Sequence, residues 1–113
     1  MAKNNGTTFS PRQQKWQRDY AVLQAELQTA LNAGPILQGS AVIQRYKRQT
    51  KRGIKECGPY YLWTRKVKGK TVTVSITHEQ YRKISQAVAT RRKVDKLLKA
   101  MQDISQKIIL QAQ

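Results

Sequence analysis

Apolar positions recur at helical spacing toward both ends of the chain and alternate in its middle, and this change of period predicts the elements. Trp16, Tyr20, Leu23, Leu27 and Leu31 follow one another at steps of four or three, which places them on one face of a helix. Ser10-Pro11-Arg12-Gln13 supplies the start: a serine N-cap, a proline at the first helical position, and a glutamine where a capping box needs it. Gly34-Pro35 supplies the stop, so this helix should run to about Ala33. Residues 1 to 9 are small, polar and without period, which predicts a flexible tail ahead of a single domain over residues 10 to 113.

Gly39-Ser40 opens a short β-prone stretch, Ala41 to Tyr46, which is expected to give way to a basic loop of Lys47, Arg48, Lys51, Arg52 and Lys55. Two clearer strands follow, Tyr60 to Val67 and Lys70 to Ile76, joined by Lys68-Gly69, whose glycine suits a tight hairpin. A two-residue turn sets Trp63 opposite Val74, Tyr61 opposite Ile76 and Arg65 opposite Val72. It leaves Leu62/Ser75, Thr64/Thr73 and Lys66/Thr71 on the other, more polar face.

Thr77 and Gln80 form a second capping box, and Tyr81, Ile84 and Val88 then fall at helical spacing from a start at His78. The pattern continues through Val94, Leu97, Leu98, Met101, Ile104 and Ile108 with no glycine or proline to stop it. An unbroken helix to residue 111 would extend roughly 50 Å at ~1.5 Å per residue. Because the stripe changes phase near Thr90-Arg91-Arg92-Lys93, the expectation is a break or bend there, or else a protruding helix that pairs with the first helix or with a second copy of the chain. Val94, Leu97, Met101, Ile104 and Ile108 keep a heptad-like spacing, suited to an intramolecular helical hairpin or to a homodimer through the C-terminal helix. The fold class is α+β: an N-terminal helix, a two- or three-stranded antiparallel sheet containing the 60–76 hairpin, and a long C-terminal helical segment.

Charge adds the functional signal. The chain carries 22 Lys and Arg against 6 Asp and Glu, a formal net charge of +16. A compact protein so charged repels itself unless a polyanion relieves it, which points to nucleic acid or an anionic membrane. No apolar run approaches the roughly 18 to 20 residues of a spanning helix, and Met-Ala-Lys-Asn-Asn-Gly lacks the apolar stretch of a secretory signal. The expectation is therefore a cytoplasmic protein with a nucleic-acid partner and no membrane.

The same composition argues against catalysis. Cys57 and His78 are single residues of their kinds and cannot make a disulfide or supply a zinc site. Asp19, Glu26, Glu56, Glu79, Asp95 and Asp103 are scattered, without the close pair that a two-metal nuclease needs. There is no glycine-rich phosphate loop. No enzyme activity, metal or cofactor is expected.

Two basic constellations are candidates for phosphate contact. Between Arg45 and Lys70 stand ten basic residues and one acid, Glu56, interleaved with Tyr46, Tyr60, Tyr61 and Trp63. The cations at issue are Arg45, Lys47, Arg48, Lys51, Arg52, Lys55, Arg65, Lys66, Lys68 and Lys70, with Tyr46 beside them. Charges attract a backbone and rings stack on unpaired bases; alternatively Tyr61 and Trp63 are core and only the cations face a ligand. The second constellation is helical: Arg82, Lys83, Arg91, Arg92, Lys93, Lys96 and Lys99, tempered in that span by Asp95 alone, with Arg92, Lys96 and Lys99 making a ridge at steps of four and three.

Gly39-Ser40-Ala41-Val42, Arg45-Tyr46, Cys57-Gly58-Pro59-Tyr60-Tyr61, Arg65-Lys66-Val67, Gly69-Lys70-Thr71-Val72 and Glu79-Gln80 together resemble a family of small proteins associated with bacterial mobile elements and transposase genes. The resemblance spans about residues 36 to 105. Members of that family carry several cysteines before the Gly-Pro-Tyr-Tyr segment, which implies a zinc knuckle, whereas here a Lys/Arg-rich stretch with Cys57 alone takes its place. The resemblance implies a mobile-element setting without a mechanism; the placement of charge adds the expectation of an accessory subunit that recognises element ends or a structured guide-type RNA beside a larger nuclease or transposase. DNA is slightly favoured as ligand, a structured RNA within a ribonucleoprotein is the alternative, and a helical interaction protein with solubilising charge is the rival from another class.

Overall fold

The computed structural model describes residues 10–111, so the tail expected over residues 1 to 9 lies outside the described residues. Its elements are helix α1 (Pro11–Asn32), strands β1 (Ser40–Thr50), β2 (Gly53–Val67) and β3 (Lys70–Ile76), and helix α2 (His78–Leu110). The fold is α+β, with an N-terminal helix, one antiparallel sheet in the order β1-β2-β3, and a long C-terminal helix. Two compact units divide the described residues: one holds residues 10–33 and 93–111, the other Gly34–Arg92.

The first unit is a pair of helices. Ser10 caps α1 by accepting from the Gln13 backbone N–H at 3.1 Å. The reciprocal half of the expected capping box is not made, because the Gln13 side chain is buried and its amide donates instead to the Gln111 carbonyl at 3.2 Å. Leu23, Leu27 and Ala30 of α1 pack with Val94 and Leu97 of α2, so the first two positions of the heptad-like seam are covered from within the chain. The buried stripe of α1 ends at Ala30 (4 % exposed), not at Leu31 (43 % exposed). A step of three after Leu27 keeps the mean spacing near 3.5, which holds a seam against a partner helix, while a second step of four turns the side chain off it.

In the second unit the segment between α1 and β1 is tied on two sides. The Leu37 N–H donates to the Ala87 carbonyl of α2 at 3.2 Å, and the Gln38 carbonyl accepts from the Trp63 indole N–H at 3.0 Å. The pairing of β2 with β3 has the predicted register throughout, from Tyr61 opposite Ile76 to Val67 opposite Lys70. Tyr61 lies against His78 and Tyr81 of α2, with ring centroids 5.0 and 5.1 Å away, so this face of the sheet is the one covered by the helix.

Helix α2 starts with a complete capping box. The Thr77 N–H donates to Gln80 Oε1 at 2.9 Å and the Gln80 N–H donates to Thr77 Oγ1 at 3.0 Å. Thr77→Ala removes one of these bonds and is expected to cost about 1 kcal/mol in urea unfolding; an unchanged midpoint would show that the cap contributes nothing. The helix does not break at Thr90, whose hydroxyl bonds back to the Gln86 carbonyl at 3.0 Å. Its stripe changes phase because the buried set changes: Ala87 and Val88 in the sheet-bearing unit, Val94, Leu97 and Met101 in the helical one.

The largest departure from expectation is the basic loop. β1 does not dissolve after Tyr46; it runs to Thr50, turns at Lys51-Arg52 and returns as β2 from Gly53, seven residues before the predicted start at Tyr60. Thr50 closes the turn, its hydroxyl donating to the Gly53 carbonyl at 2.7 Å and accepting from the Arg52 N–H at 3.3 Å. Lysine and arginine do not forbid a strand that is exposed on both faces, and the interspersed Ile43, Tyr46, Ile54 and Tyr60 favour one.

Candidate nucleic-acid interface

β3 pairs with β2 only from Tyr61 onward, so the part of β2 before Tyr61 has β1 as its one neighbour in the sheet. The result is a two-stranded arm. From Gln44 to Gln49 on one strand and from Ile54 to Tyr60 on the other, every residue except the half-buried Cys57 is exposed. The pairing shifts by one residue between Gln44 and Tyr46, where Gly58 and Pro59 on β2 face Arg45 on β1 across a bulge.

Alternation along β1 and the register sort the arm into two faces. Tyr46 opposite Cys57, Arg48 opposite Lys55, and Tyr60 opposite Gln44 share one face, while Arg45, Lys47 and Gln49 project from the other, where Glu56 stands opposite Lys47 and Ile54 opposite Gln49. Lys51 and Arg52 form the tip. Among the described residues none of these six cations forms an ion pair, whereas on the helices Lys15 pairs with Asp19 and Lys83 with Glu79. Arg48 directly opposite Lys55 is a like-charge cross-strand pair, which weakens a hairpin unless an anion lies across it.

Tyr46 and Tyr60 stack on the same face as that pair, with ring centroids 5.8 Å apart and ring planes 21° from parallel. They keep 50 % and 45 % of their surface exposed. Interaction with the Tyr60 side chain beside it, and more weakly with Cys57, raises the Tyr46 phenol above its ordinary value of 10.0. Tyr46 therefore remains a neutral ring with a hydroxyl donor throughout the physiological range.

The four aromatics of the sequence cluster thus separate into two pairs. Tyr61 and Trp63 belong to the α2-facing side: Tyr61 touches the helix, and the Trp63 ring lies under the Arg65 guanidinium at 4.2 Å. Tyr46 and Tyr60 belong to the arm. Tyr60 gains its place beside Tyr46 only from the register of β1 on β2, and no spacing within either segment signals it.

The ten cations between Arg45 and Lys70 also separate. Arg65 is folded over Trp63 with Nη1 buried and without a hydrogen-bond acceptor, so it packs against the ring instead of reaching outward. Lys66, Lys68 and Lys70 are exposed at the β2–β3 turn. That turn lies at the opposite end of β2 from the arm tip, about 45 Å away along the strand at ~3.3 Å per residue. Arg45, Lys47, Arg48, Lys51, Arg52 and Lys55 remain together on the arm.

On α2 the predicted ridge divides by role. The Arg92 guanidinium donates to Ser40 Oγ at 3.2 Å and to the Gly39 carbonyl at 3.4 Å, fastening the start of β1. Arg91 is half-buried and Lys93 lies beside Val22, Glu26 and Thr29 of α1. Lys96 and Lys99 are exposed.

Among the described residues no three His, Cys, Asp or Glu side chains converge as metal ligands would, and no helix is long and apolar enough to cross a membrane. Set against protein-family models, curated proteins and solved structures, the chain matches none.

Proposed function

We propose that this chain is a non-enzymatic nucleic-acid-binding protein that holds a phosphate backbone with its β1–β2 arm, an accessory subunit in a mobile-element or RNA-guided system. The observation that carries the proposal is the arm itself: two strands exposed on both faces, six cations with no ion pair among the described residues, and a like-charge pair set directly opposite. A hairpin without a third strand is marginal in water, and one that also carries concentrated like charge is stabilised by what it binds. Lys96 and Lys99 of α2, in the helical unit, are exposed as well and are by themselves a second candidate for phosphate contact.

The mobile-element setting is supported by the sequence resemblance around Gly58-Pro59-Tyr60-Tyr61 and Gly69-Lys70-Thr71, and a larger nuclease or transposase beside this subunit follows from reading a small, basic, non-enzymatic chain as an accessory. DNA is the slightly favoured ligand and a structured RNA the alternative. The rival reading, an interaction protein, draws its support from Leu98, Ile109 and Leu110 of α2, which are 48 %, 71 % and 79 % exposed. Sequencing the nucleic acid that copurifies with the native protein, then titrating salt against binding of the recovered species, separates the readings. Element-end DNA or one discrete RNA, bound with an affinity that falls steeply with salt, is the expected result. Recovery of no nucleic acid, with salt-insensitive capture of a protein partner, overturns the proposal.

A further inference from the structure

We infer that the Tyr46–Tyr60 pair is a stacking platform for unpaired nucleotides, so that the arm selects single-stranded segments over duplex. The inference rests on the nucleic-acid reading above and deepens it. Phosphate contact alone needs cations and polar donors. A duplex offers phosphates and base edges but keeps its base faces stacked on one another. Two aromatic rings, half in solvent on a ribbon with no core beneath them, suit the one nucleic-acid surface that a duplex hides.

The surroundings of the rings fit that ligand. Arg48 and Lys55 lie on the same face, two residues further along the ribbon, about 7 Å away at ~3.3 Å per residue. That is close to the span between a base and its flanking phosphates. A strand with its bases on the tyrosines would pass its backbone over this cation pair toward Lys51 and Arg52 at the tip. Glu56, the acid of the arm, pairs with Lys47 in the register on the other face and stays clear of the path.

The same ring pair also braces the arm, and a bracing role alone would serve single strands and duplex alike. The test compares fluorescence anisotropy of labelled oligo(dT), oligo(U) and a mixed-sequence duplex of equal length against wild-type, Tyr46→Ala/Tyr60→Ala and Tyr46→Phe/Tyr60→Phe proteins, with circular dichroism as the check on folding. Loss of one base stack should weaken binding roughly 5- to 150-fold. The alanine pair is expected to lose affinity in that range for the single strands while leaving duplex binding within a few-fold, and the phenylalanine pair is expected to bind as wild type. Which of oligo(dT) and oligo(U) wild type prefers identifies the source of the strand. Equal losses on single strand and duplex, or no loss on either, overturn the platform and leave the phosphate-binding arm standing. Failure of the wild-type protein to bind any of the three overturns the underlying reading instead.

Discussion

Replacing Arg48, Lys51, Arg52 and Lys55 together by glutamine is expected to lower nucleic-acid affinity at 0.1 M salt by about two to three orders of magnitude. Counterion release sets that magnitude. Each phosphate neutralised by a protein cation frees condensed counterions, so the slope of log K against log salt changes by about 0.7 per neutralised phosphate on a single strand and about 0.9 on duplex. Removing four such cations should flatten that slope by about 3, and over one decade of salt below 1 M this amounts to the expected loss. Stability should not fall with it, because the substitution removes the repulsion between Arg48 and Lys55 across the strands. Arg92→Gln should behave in the opposite way, since that guanidinium is engaged with Ser40 and the Gly39 carbonyl, and its loss loosens β1 before it touches any ligand. Anisotropy titrations from 50 to 400 mM salt, with urea unfolding beside them, read both quantities. An arm variant that folds and keeps the wild-type slope would remove the arm from the interface.

How much of this was legible in the sequence follows from how local each signal is. The β2–β3 hairpin, the capping box at Thr77 and Gln80, and the cap at Ser10 are set by residues within a few positions of one another, and all are found. Leu31 and Gln13 are misassigned because their places depend on a partner from the other end of the chain: α2 selects Ala30 over Leu31, and the Gln111 carbonyl draws the Gln13 amide away from its own helix start.

The arm was hidden for a related reason. A ribbon exposed on both faces has no apolar alternation to advertise it, and dense Lys and Arg look like a loop when burial is the criterion. Its candidate site was therefore only partly readable. The cations of the arm stand out in the sequence as a group, yet they could not be separated from those of the β2–β3 turn or from Arg65 until β1 was laid against β2. Tyr60 needed the same register to stand beside Tyr46.

Gly39→Ala is expected to destabilise the protein by about 3 kcal/mol or more, the largest single-residue effect on folding foreseen here. Gly39 has φ of +101°, and a methyl group placed on it would sit 2.2 Å from the Thr64 carbonyl oxygen and 3.1 Å from Arg65 Cβ. Two costs therefore combine. A residue with a Cβ in that region of φ is strained by roughly 1–3 kcal/mol. The clash is with backbone, which cannot swing aside as a side-chain tip would, so relief requires β1 to move off β2 at the Ser40–Thr64 pair where the sheet begins. That movement would also draw Ser40 and the Gly39 carbonyl away from Arg92. Gly53→Ala is the internal control: its φ is +116°, but a Cβ there meets nothing within 4 Å, so it should show only the backbone strain. Urea unfolding of the two variants beside wild type isolates the steric part as the difference between them. Equal destabilisation would mean that the approach of Gly39 to Thr64 is not maintained in solution, and with it the anchoring of the strand that carries the arm.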